Sequence, residues 1–80
     1  MDNSTMEANR FYRWAEARRK HRLIVEHLLK GGKVIVVTYT HATVYTRQHA
    51  DMFKATKSGL YVSTGKRWDC LDFSTIQLTA

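Results

Sequence analysis

The chain predicts an α+β domain, with one long N-terminal amphipathic helix packed on an antiparallel meander sheet of four to five short strands. Three observations predict it. The sequence contains no Pro, and its first Gly is Gly31, so nothing breaks a helix over the first thirty positions. Apolar residues recur at helical spacing before Gly31-Gly32 and at a period of two after it. The strand-like segments follow the helical one as a consecutive run rather than alternating with helices, which argues against a parallel α/β fold.

The elements follow in order. Ser4-Thr5-Met6-Glu7 has the form of a capping box, in which the Ser4 hydroxyl and the Glu7 carboxylate satisfy each other's backbone N–H. The helix is therefore expected to start at Ser4 and to end near Lys30, because Gly31 stands where a left-handed C-terminal residue belongs. At 1.5 Å per residue, residues 4–30 span roughly 40 Å. Steps of 100° put Met6, Phe11, Trp14, Ala17, Ile24, Val25, Leu28 and Leu29 on one stripe, with Arg13, Glu16, Arg19, Lys20, Glu26, His27 and Lys30 opposite. Arg18 and His21 interrupt the stripe in its middle. His21 is expected to be a partly buried core histidine bonded to a carbonyl or a Tyr. Arg18 must either pair with Asp51, Asp69 or Asp72, or mark a part of the helix that projects past the sheet.

Lys33–Thr46 is rich in β-branched and aromatic residues, and its apolar start, Val34 to Val37, predicts a central strand covered on both faces. A bend near His41-Ala42 divides it. Arg47–Asp51 is polar and reads as a loop. Met52–Thr56, Leu60–Thr64, Arg67–Leu71 and Ser74–Leu78 read as short strands, joined by the turn signals Lys57-Ser58-Gly59 and Thr64-Gly65-Lys66. Residues 4–30 and 33–79 thus form one domain, since a chain this short buries only about 60% of its unfolded surface and cannot support two cores. A homodimer is a second way to cover the apolar stripe.

Thirteen Lys and Arg against seven Asp and Glu give a net charge of +6, which favours a polyanionic or acidic partner. The charge is spread along the chain, seven basic and four acidic residues in 1–32 against six and three in 33–80. A single cysteine, Cys70, excludes an internal disulfide and fits a reducing cytoplasm. No apolar stretch approaches the roughly 20 residues of a membrane span, and the N-terminus lacks the pattern of a signal peptide, so no membrane association is expected.

No motif predicts catalysis. His21, His27, His41 and His49 do not follow a metal-binding spacing, and no cofactor loop is present around Gly31-Gly32 or Gly65-Lys66. Cys70 lies between Asp69 and, two residues on, Asp72, a setting that disfavours a thiolate nucleophile, and it is expected to be a small core residue. The sharper signal runs from Arg10 to Arg22, six basic residues in thirteen with three aromatics among them. Arg10, Phe11, Arg13, Trp14, Arg18, Arg19, Lys20 and Arg22 are the candidate partner-binding residues, because Trp, Tyr and Arg concentrate binding energy at protein interfaces and also suit phosphate contact with base stacking. The plainer account is that Phe11 and Trp14 pack while the cations form a solvated face. Arg47, Lys54, Lys66 and Arg67, with Tyr39, Tyr45 and Tyr61, could form a second basic surface on the sheet; strand propensity alone also explains those tyrosines.

The segments His49-Ala50-Asp51-Met52-Phe53-Lys54, Ser58-Gly59-Leu60-Tyr61-Val62 and Gly65-Lys66-Arg67-Trp68-Asp69-Cys70-Leu71-Asp72-Phe73 resemble small accessory proteins of phages and prophages, over about the last 30 residues. That resemblance implies stoichiometric binding to a host protein or nucleoprotein complex, such as a polymerase, a restriction enzyme or a CRISPR complex, or else regulatory binding to DNA. It assigns no residue a role. Many CRISPR inhibitors of this class are acidic, and the charge of +6 departs from that pattern. The sequence therefore predicts a non-enzymatic binding protein that inhibits a host complex in the bacterial cytoplasm, with direct DNA or RNA binding by the same helix as the alternative.

Overall fold

The computed structural model describes the backbone of residues 3–38 and 40–80, and side chains from residue 12 onward apart from Tyr39. The chain runs α1 (Asn3–Leu29), β1 (Lys33–Val37), β2 (Ala42–Tyr45), a 3-10 turn at Arg47–Met52, β3 (Phe53–Thr56), β4 (Gly59–Ser63), β5 (Trp68–Leu71), a second 3-10 turn at Phe73–Thr75, and β6 (Ile76–Thr79). The α+β class and the long N-terminal helix are as the sequence predicts. The proposed Ser4–Glu7 capping box and the stripe residues Met6 and Phe11 lie outside the described side chains.

α1 stops where Gly31 predicts. The Gly32 N–H donates to the His27 carbonyl (2.9 Å) and the Gly31 N–H to the Leu28 carbonyl (3.0 Å), with Gly31 at φ +94°. This is a Schellman closure, and its left-handed residue carries no Cβ penalty only as Gly.

The strands differ from a single meander. Among the described residues there are six, in two three-stranded antiparallel sheets ordered β2-β1-β6 and β3-β4-β5. Two local devices split them. At Arg47–Met52, expected to be a loop, the His49 Nδ1 accepts from the Thr46 N–H (3.0 Å), so the chain coils after β2 instead of turning back to pair with it. At Phe73–Thr75 the Asp72 carboxylate accepts from the Ser74 N–H (3.0 Å) and from its hydroxyl (2.9 Å). This Asx-type turn redirects the chain from β5 to the far side of β1. There β6 pairs antiparallel, from Lys33↔Thr79 to Val36↔Ile76. β1 is accordingly central, but it is covered on one face: Val34 and Val36 are buried, while Ile35 is half-buried and Val37 exposed.

The core is small. Ala17, Ile24 and Leu28 of α1 meet Val34 and Val36 of β1, Phe53 of β3, and Leu60 and Val62 of β4. The helix positions recur at spacings of seven and four, one seam on one face. Leu29, expected on the packing stripe, is exposed. Cys70, expected in the core, is exposed as well, because alternation in β5 turns Asp69 and Leu71 inward and leaves Trp68 and Cys70 on the outer face. Two imidazoles fasten the helix laterally. The His21 Nε2–H donates to the Phe53 carbonyl of β3 (3.1 Å), and the His27 Nε2–H donates to the Thr79 carbonyl of β6 (2.6 Å). His21 thus makes the carbonyl bond its place on the stripe predicts. His27, expected on the solvent arc, reaches β6 across Gly32, where a Cβ would overlap its ring.

Gly32→Ala therefore destabilises the fold by about 1–3 kcal/mol, the usual cost of overpacking. Thermal denaturation of a double-mutant cycle checks the cause: in a His27→Ala background the same substitution loses most of its effect. A second expectation concerns acid. Asp72 is held below the ordinary carboxylate range, first by the Ser74 N–H and second by its hydroxyl. A depressed folded pKa contributes stability that is full above the unfolded value, about 4, and is lost as pH falls through the folded value. The stability gap between the natural chain and Asp72→Ala, measured by urea unfolding, narrows from neutral to strongly acidic pH.

Candidate functional site

Residues spaced by four drift only 40° around a helix, so Trp14, Arg18 and Arg22 share one flank of α1, beside the seam. Ala17 and Ile24 are buried on that seam. The bond from His21 to Phe53 fixes the rotation of α1 against β3, and that flank consequently runs along β3. Between them lies an open groove of about 400 Å³ lined by Trp14, Arg18, His21, Arg22, Phe53, Lys54 and Ala55.

Its aromatic and cationic groups are organised in stacks. The Arg18 guanidinium lies 5.1 Å from the Trp14 ring centroid. Across the groove Lys54, which pairs with Tyr61 of β4, turns its ammonium over the Trp68 ring at 4.1 Å and stands 6.0 Å from that of Tyr61. Such contacts are worth roughly 0.5–1 kcal/mol at exposed sites. Their larger effect is to hold long, otherwise mobile side chains in place. Lys54 thereby joins the groove to the outer face of the β3-β4-β5 sheet, where Tyr61, Trp68 and Cys70 sit.

The groove is cationic, and none of its described lining residues is a carboxylate. Among the described residues the ion pairs are Arg19 with Glu16 and Arg67 with Asp69 (2.9 Å), so Arg18, Arg22 and Lys54 have no carboxylate partner there. Arg18 is exposed and stacked on Trp14 beside β3, so it neither pairs with Asp51, Asp69 or Asp72 nor marks a turn of helix that projects past the sheet.

The predicted residues are thus sorted. Trp14, Arg18 and Arg22 come together, with Lys54 from the predicted sheet surface. Arg13 is exposed and Lys20 half-buried on the other flank of the seam, and Arg19 faces solvent with Glu16. The side chains of Arg10 and Phe11 lie outside the described residues. On the sheet, Lys66 is exposed in the β4–β5 turn, Arg67 is held by Asp69, and Arg47 lines a different hollow with Leu29, Gly31, Gly32, Lys33, Thr46 and Gln48. Tyr39 falls outside the described residues. Tyr45 packs inward, its ring 5.0 Å from that of Phe53, and burial and then the charge of Asp69 push its phenol upward. Of the two described tyrosines, Tyr61 joins Lys54.

Trp68, His21 and the β3 backbone were not among the predicted site residues. Alternation in Trp68-Asp69-Cys70 did put Trp68 on a face; which strand lies beside it depends on pairing between β3, β4 and β5. Among the described residues no three His, Cys, Asp or Glu side chains gather to hold a metal ion, and no helix is long and apolar enough to cross a membrane. In comparison with known proteins, no family model matches the chain, and neither does a curated protein or a solved structure.

Proposed function

We propose that this chain is a non-enzymatic binding protein that engages an acidic surface of a host protein or nucleoprotein complex through the α1–β3 groove, and acts by occupying that surface stoichiometrically. The observation that carries the reading is the gathering of Trp14, Arg18 and Arg22 along one groove, with Lys54 leading from its β3 wall to the outer sheet face, and with no carboxylate among its described lining residues. Cations exposed singly are the normal state of a surface. Cations stacked on tryptophans, gathered from a helix and a strand, and left without counter-charge require a better reason, and complementarity to an anionic partner supplies one. The resemblance of the C-terminal segments to phage accessory proteins supports the same mode of action, blocking a host complex in the bacterial cytoplasm.

The choice of a protein over a nucleic acid rests on the stacks. Base stacking needs open aromatic faces, whereas Trp14 and Trp68 each present one face to a cation of this chain. DNA or RNA binding by the same residues is the competing outcome. Affinity capture of the tagged protein from bacterial lysate, with and without nuclease, separates them. A stoichiometric protein band is expected that survives nuclease and is lost with Trp14→Ala, a truncation expected to weaken binding by about 2 kcal/mol or more, roughly thirtyfold. Capture of nucleic acid alone, with log affinity falling by about 0.9 per phosphate contact for each tenfold rise in salt, would replace this reading by the competing one.

A further inference from the structure

Among the described residues β3 is an edge strand, paired with β4 on one side and with no strand on the other. The turn decides which of its backbone groups line the free edge. Lys57-Ser58 joins β3 to β4, so Thr56 and Gly59 form the closing pair and direct their backbone groups at each other. Alternation along the strand then directs those of Lys54 toward Tyr61 and turns those of Phe53 and Ala55 outward. His21 agrees independently, since its ring reaches the Phe53 carbonyl from outside the sheet (3.1 Å). With that carbonyl occupied, the N–H and C=O of Ala55 remain along the wall of the basic groove.

Natural edges are commonly blunted by a lysine laid over them. Here Lys54 is drawn across the outer face onto Trp68 instead, which leaves the groove open. Resting on the reading that this groove is the binding surface, we infer that its occupant is an extended acidic peptide segment of the partner, which pairs its backbone with Ala55 and sets its carboxylates against Arg18 and Arg22. A free N–H and C=O on one strand residue are satisfied together by the backbone of a second extended chain. The arginines choose an acidic one. A volume of about 400 Å³ suits a short segment rather than a globular face. A phosphodiester backbone would meet the arginines but carries no N–H for the Ala55 carbonyl.

The test uses the full chain and a fluorescent peptide of alternating Glu and Val, followed by anisotropy, with a series of the same peptide N-methylated at one position at a time. An oligothymidylate of matched charge is the comparison probe. The peptide is expected to bind, and to lose about tenfold in affinity when the residue opposite Ala55 is methylated, the ordinary effect of one lost hydrogen bond, with methylation of its neighbours nearly silent. The Ala55 amide should shift and exchange more slowly in the complex. The exposed pair Arg18→Glu with Arg22→Glu should abolish binding. Equal affinity of every methylated peptide, with the charge reversal still abolishing binding, overturns strand pairing and leaves the groove reading in place. Tighter binding of oligothymidylate, or no binding of the peptide, overturns the inference. Peptide binding indifferent to the charge reversal overturns the groove reading with it.

Discussion

The helix is tied to both sheets through two imidazoles. His21 donates to Phe53 in one sheet and His27 to Thr79 in the other, six residues further along α1. Between them the buried side chains Ile24 and, one turn beyond, Leu28 supply the apolar contact that neither sheet has on its own. Three strands with one covered face are close to the minimum that persists in water, and each sheet here stands at that minimum. Burying an Ile or Leu contributes about 1.5–3 kcal/mol, and the two histidine bonds add direction to that attraction. Apolar burial alone would leave the helix free to roll. The Tyr45 ring, packed edge-on against Phe53, closes the seam between the sheets away from the helix.

The α1–β3 groove depends on that fixed rotation. Trp14, Arg18 and Arg22 lie on a single flank by virtue of helical spacing, but which part of the molecule they face is decided by His21. A roll of about 100°, one residue's step around the helix, would set them over solvent or over the core. Lys54 arrives from the opposite side because Phe53 must point inward, and alternation then sends Lys54 outward toward Trp68 and Tyr61. The core residue and the site residue are neighbours in sequence, and one constraint places both. Among the described acidic residues near it, Glu16 is engaged with Arg19 and Asp69 with Arg67, while Asp51, two residues before Phe53, is exposed and does not line the groove.

What could be read from the sequence was what local chemistry decides. Gly31 ends α1 because only a residue without Cβ takes φ +94° at no cost, and the period change at that point separates helix from strands. His21 reads as a carbonyl-bonded histidine because it sits in the middle of an apolar stripe, where a partly buried imidazole needs a hydrogen-bond partner. The split into two sheets could not be read in the same way. It depends on His49 capping the turn after β2 and on Asp72 capping the turn before β6, and either residue could equally have sat in a solvated loop. Cys70 was misplaced because alternation tells which residues share a face but not which face is covered. Trp14, Arg18 and Arg22 were legible by residue type and spacing, whereas their separation from Arg13, Arg19 and Lys20 required the position of β3.

The central claim is that one helix, held at His21 and His27, makes two small sheets a single cooperative unit. Amide hydrogen exchange of Ile24→Ala, measured residue by residue against the natural chain, tests it most directly. Deleting this shared contact should lower the protection of β1 and of β4 by the same free energy, on the order of 2–4 kcal/mol. Loss of protection confined to one sheet, with the other unchanged, would show that the sheets are stable apart and that the helix does not join them.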